Sequence, residues 1–320
     1  MKPVLCFGDV CPDLIIPYGN AQLAASGVSI DPAALVVEAL SGGSVGNTTV
    51  GIARQNVPVM FLGTVGNDPL GRMLHDDLVK EGVDVSLLKL SQSCSTVMIL
   101  IVVDKNGDRT TFAWPKVGAS QHQVTASQIP HDITDRISWL HSTGMTLREE
   151  PAASTQIELM RRCHEQGIPV SLDINARIES LGDPQFERNV HDALPYCSVI
   201  LGSADDEIMP LTNCKSADEA ARALAVNGRI VVSRMGEKGA KVYYDGKVSS
   251  APAARVQVAD TVGAGDIYDA GYICATLKGY DPSSANVRAC ATATFSITGR
   301  SGRSSPTADE LEEFIRTNIR

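Results

Sequence analysis

An alternation that begins near residue 137 constrains the fold of this chain more than any other feature. Short β-type runs at 137–141, 170–173, 198–201 and 230–233 take turns with helical patterns at 152–166, around 187–194 and at 217–226. Strand–helix–strand units close as parallel pairs covered by helices, so the spacing predicts a mostly parallel sheet between two helical layers. The first half adds strands at 4–7 and 60–64 and helices at 48–55 and 71–82, the latter with Met73, Leu74, Leu78 and Val79 at helical spacing. Near the C-terminus a hairpin (240–244 with 247–250) turns at Asp245-Gly246, and helices follow at 267–278, 284–298 and 307–318.

Two stretches break the alternation. Residues 14–40 and 96–114 are β-rich with no helix between their runs, and 96–103 faces 109–114 across Asn106-Gly107, a strong hairpin signal. They read as an accessory sheet, a lid formed by about 14–40 and 96–116. The alternative is that 96–103 enters the main sheet. With no internal repeat, low-complexity tract or Pro/Ser linker, the expectation is a single domain over residues 1–320.

The 320 residues carry 28 Lys+Arg against 37 Asp+Glu, a net charge of −9, which leaves no broad basic face for nucleic acid. The N-terminal apolar run 4–7 stops at Gly8-Asp9, too short for a signal-peptide core. The longest apolar run, 97–103, falls far short of the roughly 20 residues that span a membrane. Eight cysteines are scattered with no CxxC pair, which reads as reduced thiols in the cytoplasm.

The chemistry concentrates in Asp260-Thr261-Val262-Gly263-Ala264-Gly265-Asp266, just ahead of a helical pattern. Small residues at a helix start leave unpaired N–H groups open to an anion. Asp266 is the odd member, since a carboxylate repels a merely bound phosphate but suits a general base for a hydroxyl attacking phosphorus. The competing reading is an Asp that caps its own helix. Tyr268 stands where a dinucleotide fingerprint requires a third Gly, and no GxxxxGK[ST] loop is present.

The segment Asp260–Asp266 resembles the C-terminal signature of the PfkB (ribokinase-like) carbohydrate kinases, and Gly42-Gly43-Ser44-Val45-Gly46-Asn47 resembles the family's other signature. Similar matches run along most of the chain: Gly8–Asp13, Gly66–Gly71, 172–177 (Leu-Asp-Ile-Asn-Ala-Arg) and 233–240, the last resembling the family's nucleotide segment. The resemblance implies a ribokinase-like three-layer α/β/α fold with a small β lid, and ATP-dependent phosphorylation of a sugar hydroxyl. Asp266 would be the base, and the N–H groups of Gly263, Ala264 and Gly265 the anion hole. Asp13, Gly42, Gly43 and Asn47 would hold the sugar, with Trp114 as a stacking candidate, although Asn47 also reads as a helix cap. Ser233, Gly236, Gly239 and Ala291 would line the nucleotide. Glu207 would serve Mg²⁺ through water, with Ala204 standing where the family often has Asn. Asp260, Val262 and Ser304 roughly match a K⁺ site, with Arg300 where many relatives have Gly.

Within 97–103 alternation places Val97, Ile99, Ile101 and Val103 on one face and Met98, Leu100 and Val102 on the other, so both faces are apolar. One would close over substrate and the other over a second copy, giving a homodimer through the lid. Two further functions fit the same residues: a nucleoside kinase of this family, and a non-catalytic sugar- or nucleotide-binding regulator on the same fold.

Overall fold

The computed structural model describes residues 1–17, 22–24, 27–29, 37–103, 109–115, 118–176 and 182–319. In chain order the strands are β1 (Val4–Phe7), β2 (Cys11–Pro17), β3 (Gln22–Ala24), β4 (Gly27–Ser29), β5 (Glu38–Gly42), β6 (Val59–Gly66), β7 (Asp84–Ser91), β8 (Met98–Val103), β9 (Arg109–Trp114), β10 (Trp139–Thr143), β11 (Val170–Asp173), β12 (Val199–Ser203), β13 (Ile230–Arg234), β14 (Ala240–Tyr244) and β15 (Lys247–Ala251). The helices are α1 (Ser44–Arg54), α2 (Pro69–Lys80), α3 (Ile133–Arg136), α4 (Ala152–Glu165), α5 (Pro184–Ala193), α6 (Ala217–Leu224), α7 (Ala264–Leu277), α8 (Pro282–Ser296) and α9 (Ala308–Asn318).

The main sheet runs β15-β14-β13-β12-β11-β10-β1-β6-β7, parallel from β7 to β13 and antiparallel across the β13–β14–β15 edge. Its inner strand β1 is fully buried, as strands covered on both faces must be. One apolar cluster packs α1, α2, α7 and α8 on one face, and a second packs α4, α5 and α6 on the other. This is the three-layer arrangement that the alternation predicts.

A separate sheet, β5-β2-β8-β9, is built from the two β-rich stretches. The predicted hairpin pairs Met98 with Trp114 through to Val103 with Arg109, and β8 lies parallel to β2 rather than joining the main sheet. The turn 104–108, and most of the interval 18–36, lie outside the described residues.

Some elements depart from the sequence reading: α3 was not expected, and α7 starts at Ala264 rather than at 267. Strand β7 has no predicted counterpart. It is an edge strand with Asp84, Ser86 and Lys89 exposed, so it lacks the continuous apolar run of its buried neighbours. Helix α1 starts at Ser44 rather than at residue 48, because the Asp9 carboxylate accepts from the N–H groups of Ser44 (2.9 Å) and Val45 (3.4 Å). That cap comes from 35 residues away, outside any local signal. All eight cysteines are free thiols, with Cys94 and Cys214 half-buried and the rest buried. Among the described residues no helix is long and apolar enough to cross a membrane.

Candidate active site

The N-termini of α1 and α7 meet at the C-terminal ends of the parallel strands. Gly43 precedes α1 with φ +88°, and a Cβ there would sit 2.6 Å from Val10 Cα, so only glycine fits. Gly263 precedes α7 in the left-handed region (φ 78°, ψ 1°), with Gly302 Cα 2.5 Å from where a Cβ would lie. Across this junction Ser44 Oγ donates to Asp266 Oδ1 (2.8 Å), and Asn47 Nδ2 donates to Asp266 Oδ2 (2.9 Å). Asn175 Nδ2 in turn donates to Ser44 Oγ (2.6 Å). The carboxylate of Asp266 therefore takes its hydrogen bonds from another helix, not from its own N-terminus as a cap would. Asn47 likewise sits inside α1 rather than capping it.

Burial pushes the Asp266 carboxyl up to about 7. The hydrogen bonds from Asn47 and Ser44 oppose that rise, and the nearby Asp173 and Asp9 carboxylates add to it. Beside it, Arg234 Nη2 donates to Asp173 Oδ1 (2.6 Å), Arg234 Nη1 donates to Asp269 Oδ1 (2.9 Å), and Glu207 Oε2 lies 3.5 Å from Nη2. Asp269 is fully buried, which holds its carboxyl well above the usual range against the pull of Arg234. Its Oδ2 has no hydrogen-bond partner among the described residues. Asp9, Ser44, Arg234 and Asp269 are the site residues to which sequence reasoning assigns no role. The available signal for Asp269 is its place three residues after Asp266, on the same helix face.

A cavity of about 570 Å³ opens beside the start of α7, lined by Gly236, Gly239, Ala264, Gly265 and Tyr268. From α8 it is lined by Cys290, Ala293, Thr294 and Ile297, a single helical stripe. Ala291, the predicted contact, is fully buried off that stripe, so the helix is placed as expected but the residue is not. Ser233 is also buried and lines a neighbouring cavity of about 380 Å³ together with Ala204 and Asp206. Of the three predicted anion-hole amides, that of Ala264 donates to Thr261 O at 3.2 Å, while Gly265 lies in the first helical turn, where an α-helix supplies no acceptor.

On the other side of Asp266, the Asp13 carboxylate lies over Gly42, 2.9 Å from where a Cβ would be. Trp114 stands apart, 61% exposed on edge strand β9, which removes core packing as its explanation. Glu207 Oε2 accepts from Ser203 N (2.6 Å). Of the residues matched to a K⁺ site, Asp260 Oδ1 accepts from Val262 N (3.2 Å) and Ser304 Oγ donates to Arg300 O (2.6 Å), so each is tied to its own loop.

A three-layer sheet with a second small sheet, meeting where a part-buried carboxylate stands beside a glycine-lined cavity, is the ribokinase-like kinase architecture. The chain belongs to the pfkB family of carbohydrate kinases, whose profile matches residues 1–309, and it is a carbohydrate kinase. It is 30% identical over 238 residues to a fructokinase of Klebsiella pneumoniae, covering 72% of this chain and 75% of that one. Among solved structures, an Escherichia coli protein provisionally named ribokinase II, in complex with ATP and Mg²⁺, superposes with a TM-score of 0.87 at 21% identity, covering 99% of both chains. A fructokinase of Xylella fastidiosa with bound ATP gives 0.84 at 21% identity, again over 99% of both chains. At such identities the structures speak for the fold alone.

Proposed function

We propose that this protein transfers the γ-phosphoryl group of ATP to a hydroxyl of a small sugar, with Asp266 as general base. The observation that carries this is the Asp266 carboxyl itself. It is part-buried, oriented by Ser44 and Asn47, and poised at about 7 between a cavity of nucleotide size and the Asp13–Gly42–Gly43 segment. A base with that proton affinity can accept a hydroxyl proton near neutral pH. The sugar oxygen then attacks the γ-phosphorus, the bond from phosphorus to the β,γ-bridging oxygen breaks, and ADP leaves. First-turn amides of α7, Gly265 foremost, face the charge that develops. Asp13, Gly43 and Asn47 would hold the sugar hydroxyls, and Gly236 and Gly239 would flank the nucleotide.

The relatives named fructokinase make fructose the first substrate to test. Mg²⁺ fits the oxygen-only donors here. Among the described residues no trio of His, Cys, Asp or Glu converges as a metal cage, which suits an ion held mainly by phosphates and water, with Glu207 and Asp173 as outer acceptors. When bound, the ion would neutralise phosphate charge. K⁺ near Asp260, Val262 and Ser304, a homodimer through the small sheet, one domain over 1–320 and a cytoplasmic location complete the reading. A coupled ADP-release screen over fructose, other sugars, sugar phosphates and nucleosides tests it. Turnover with a sugar is expected. Turnover with nucleosides alone would move the substrate class, and tight sugar binding with no turnover would make the protein a regulator.

A further inference from the structure

Arg234 has a place that the Asp266 chemistry does not explain. Its guanidinium occupies the space where Gly265 lacks a side chain: a Cβ on Gly265 would lie 3.0 Å from Nη1, 3.3 Å from Cζ and 3.7 Å from Nε. Gly265 thus makes room for a cation as well as for an approaching anion. The side chain is 15% exposed and lines both the cavity of about 570 Å³ and its smaller neighbour of about 380 Å³. Nη1 and Nη2 are engaged by Asp173 and Asp269, with Glu207 at 3.5 Å. Nε makes no hydrogen bond among the described residues. A largely buried guanidinium with an unused N–H, set against the first turn of α7 and open to the nucleotide-sized cavity, is arranged to meet a polyanion.

We propose that Arg234 contacts the phosphate chain of the nucleotide, with Asp173 and Asp269 holding its fork in place until the anion arrives. This rests on the ATP-kinase reading above. Without Arg234, ATP would approach carboxylates of Asp173, Asp269 and Glu207 that lie behind the cavity wall with no cation between, and like charges would oppose it. The bland account is that Arg234 only neutralises those buried carboxylates.

The two accounts separate in two variants. Arg234→Met with Asp269→Asn removes one positive and one negative charge together, and the new amide can donate to Asp173. The double variant is expected to melt closer to wild type than Arg234→Met alone, yet to keep a kcat about tenfold or more below wild type and a raised ATP KM. Recovery of wild-type kinetics in the double variant would make Arg234 a counter-ion only. Arg234→Gln supplies a second readout by calorimetry. Affinity for a non-hydrolysable ATP analogue is expected to fall about tenfold to a hundredfold while adenosine affinity stays within about twofold. Equal losses for both ligands, or no loss for either, would overturn the proposal. Wild-type protein that neither binds the analogue nor turns over ATP would instead sink the kinase reading.

Discussion

The α1–α7 junction and the small sheet are both candidate parts of one catalytic cycle, and they are built on opposite terms. At the junction every polar side chain is positioned by others: Asp9 caps α1, Asn175 holds Ser44, and Ser44 with Asn47 holds Asp266. In the small sheet, each residue of β8 is half-buried, and Phe112 and Trp114 on β9 are 50% and 61% exposed. The junction has no slack for a change of chemistry. The small sheet has apolar surface still to be covered, by substrate or by another chain. Under the proposed function, the first region would set reaction type and the second substrate choice and assembly.

The sharpest way to break the contrast is Asp266→Asn. It keeps the hydrogen-bonding shape but cannot take a proton, so kcat should drop about 10²–10⁴-fold while affinity for an ATP analogue is retained. Near-normal turnover would remove Asp266 from the reaction. Gly265→Val should cost about a hundredfold in kcat, because the branched side chain meets Arg234 and crowds the first turn of α7. Survival of the rate would place the phosphoryl group elsewhere. Glu207→Gln should raise the Mg²⁺ concentration needed for half-maximal rate several-fold, about 10 at most, and leave sugar KM nearly unchanged. The reverse pattern would take Glu207 away from the metal.

A subtler probe is pH. As the proposed base, Asp266 would act only when ionised, so kcat/KM should be half-maximal at about 7 and fall tenfold per unit below it. The Asn47 hydrogen bond favours the ionised form, so Asn47→Ala should move that acidic limb to higher pH. A limb that stays put would mean the titrating group is not Asp266. The smallest effect on chemistry is expected from Ile101→Asp in β8. Light scattering should show a wild-type dimer turned into a 34.0 kDa monomer that still melts cooperatively. A wild-type monomer would end the dimer proposal, and a dimer indifferent to this change would place the contact on another surface.

How much of this was legible in the sequence follows from the range of the forces involved. The parallel sheet and its helices were readable because apolar periodicity is local, and strand 170–173 falls where the pattern puts it. The Gly-Ala-Gly-Asp run was readable because a tight turn needs small residues in unbroken order. Edge strand β7 was not, since exposure on one side dilutes its pattern. The true start of α1 was hidden because its cap, Asp9, arrives from another strand end. Arg234 and Asp269 belong to one ion pair but stand 35 residues apart, and nothing in either neighbourhood announces the other. On α8 small residues were visible, but which stripe faces the cavity depends on helix rotation: Cys290, Ala293 and Thr294 line it, and Ala291 is buried off that stripe.

The hydrogen bonds at the α1–α7 junction join residues far apart in the chain. Ser44 and Asp266 are 222 residues apart, Asn47 and Asp266 are 219, and Asn175 reaches Ser44 across 131. Contacts of such separation can form only once distant segments of the chain have docked, and a fold rich in them folds slowly. A nascent chain lacking α7 therefore holds Ser44 and Asn47 with nothing to orient, and under the proposed function no half of the protein would carry half of the activity. Recovery of turnover on refolding should be among the last signals to return, after helical content and after fluorescence of the buried Trp139.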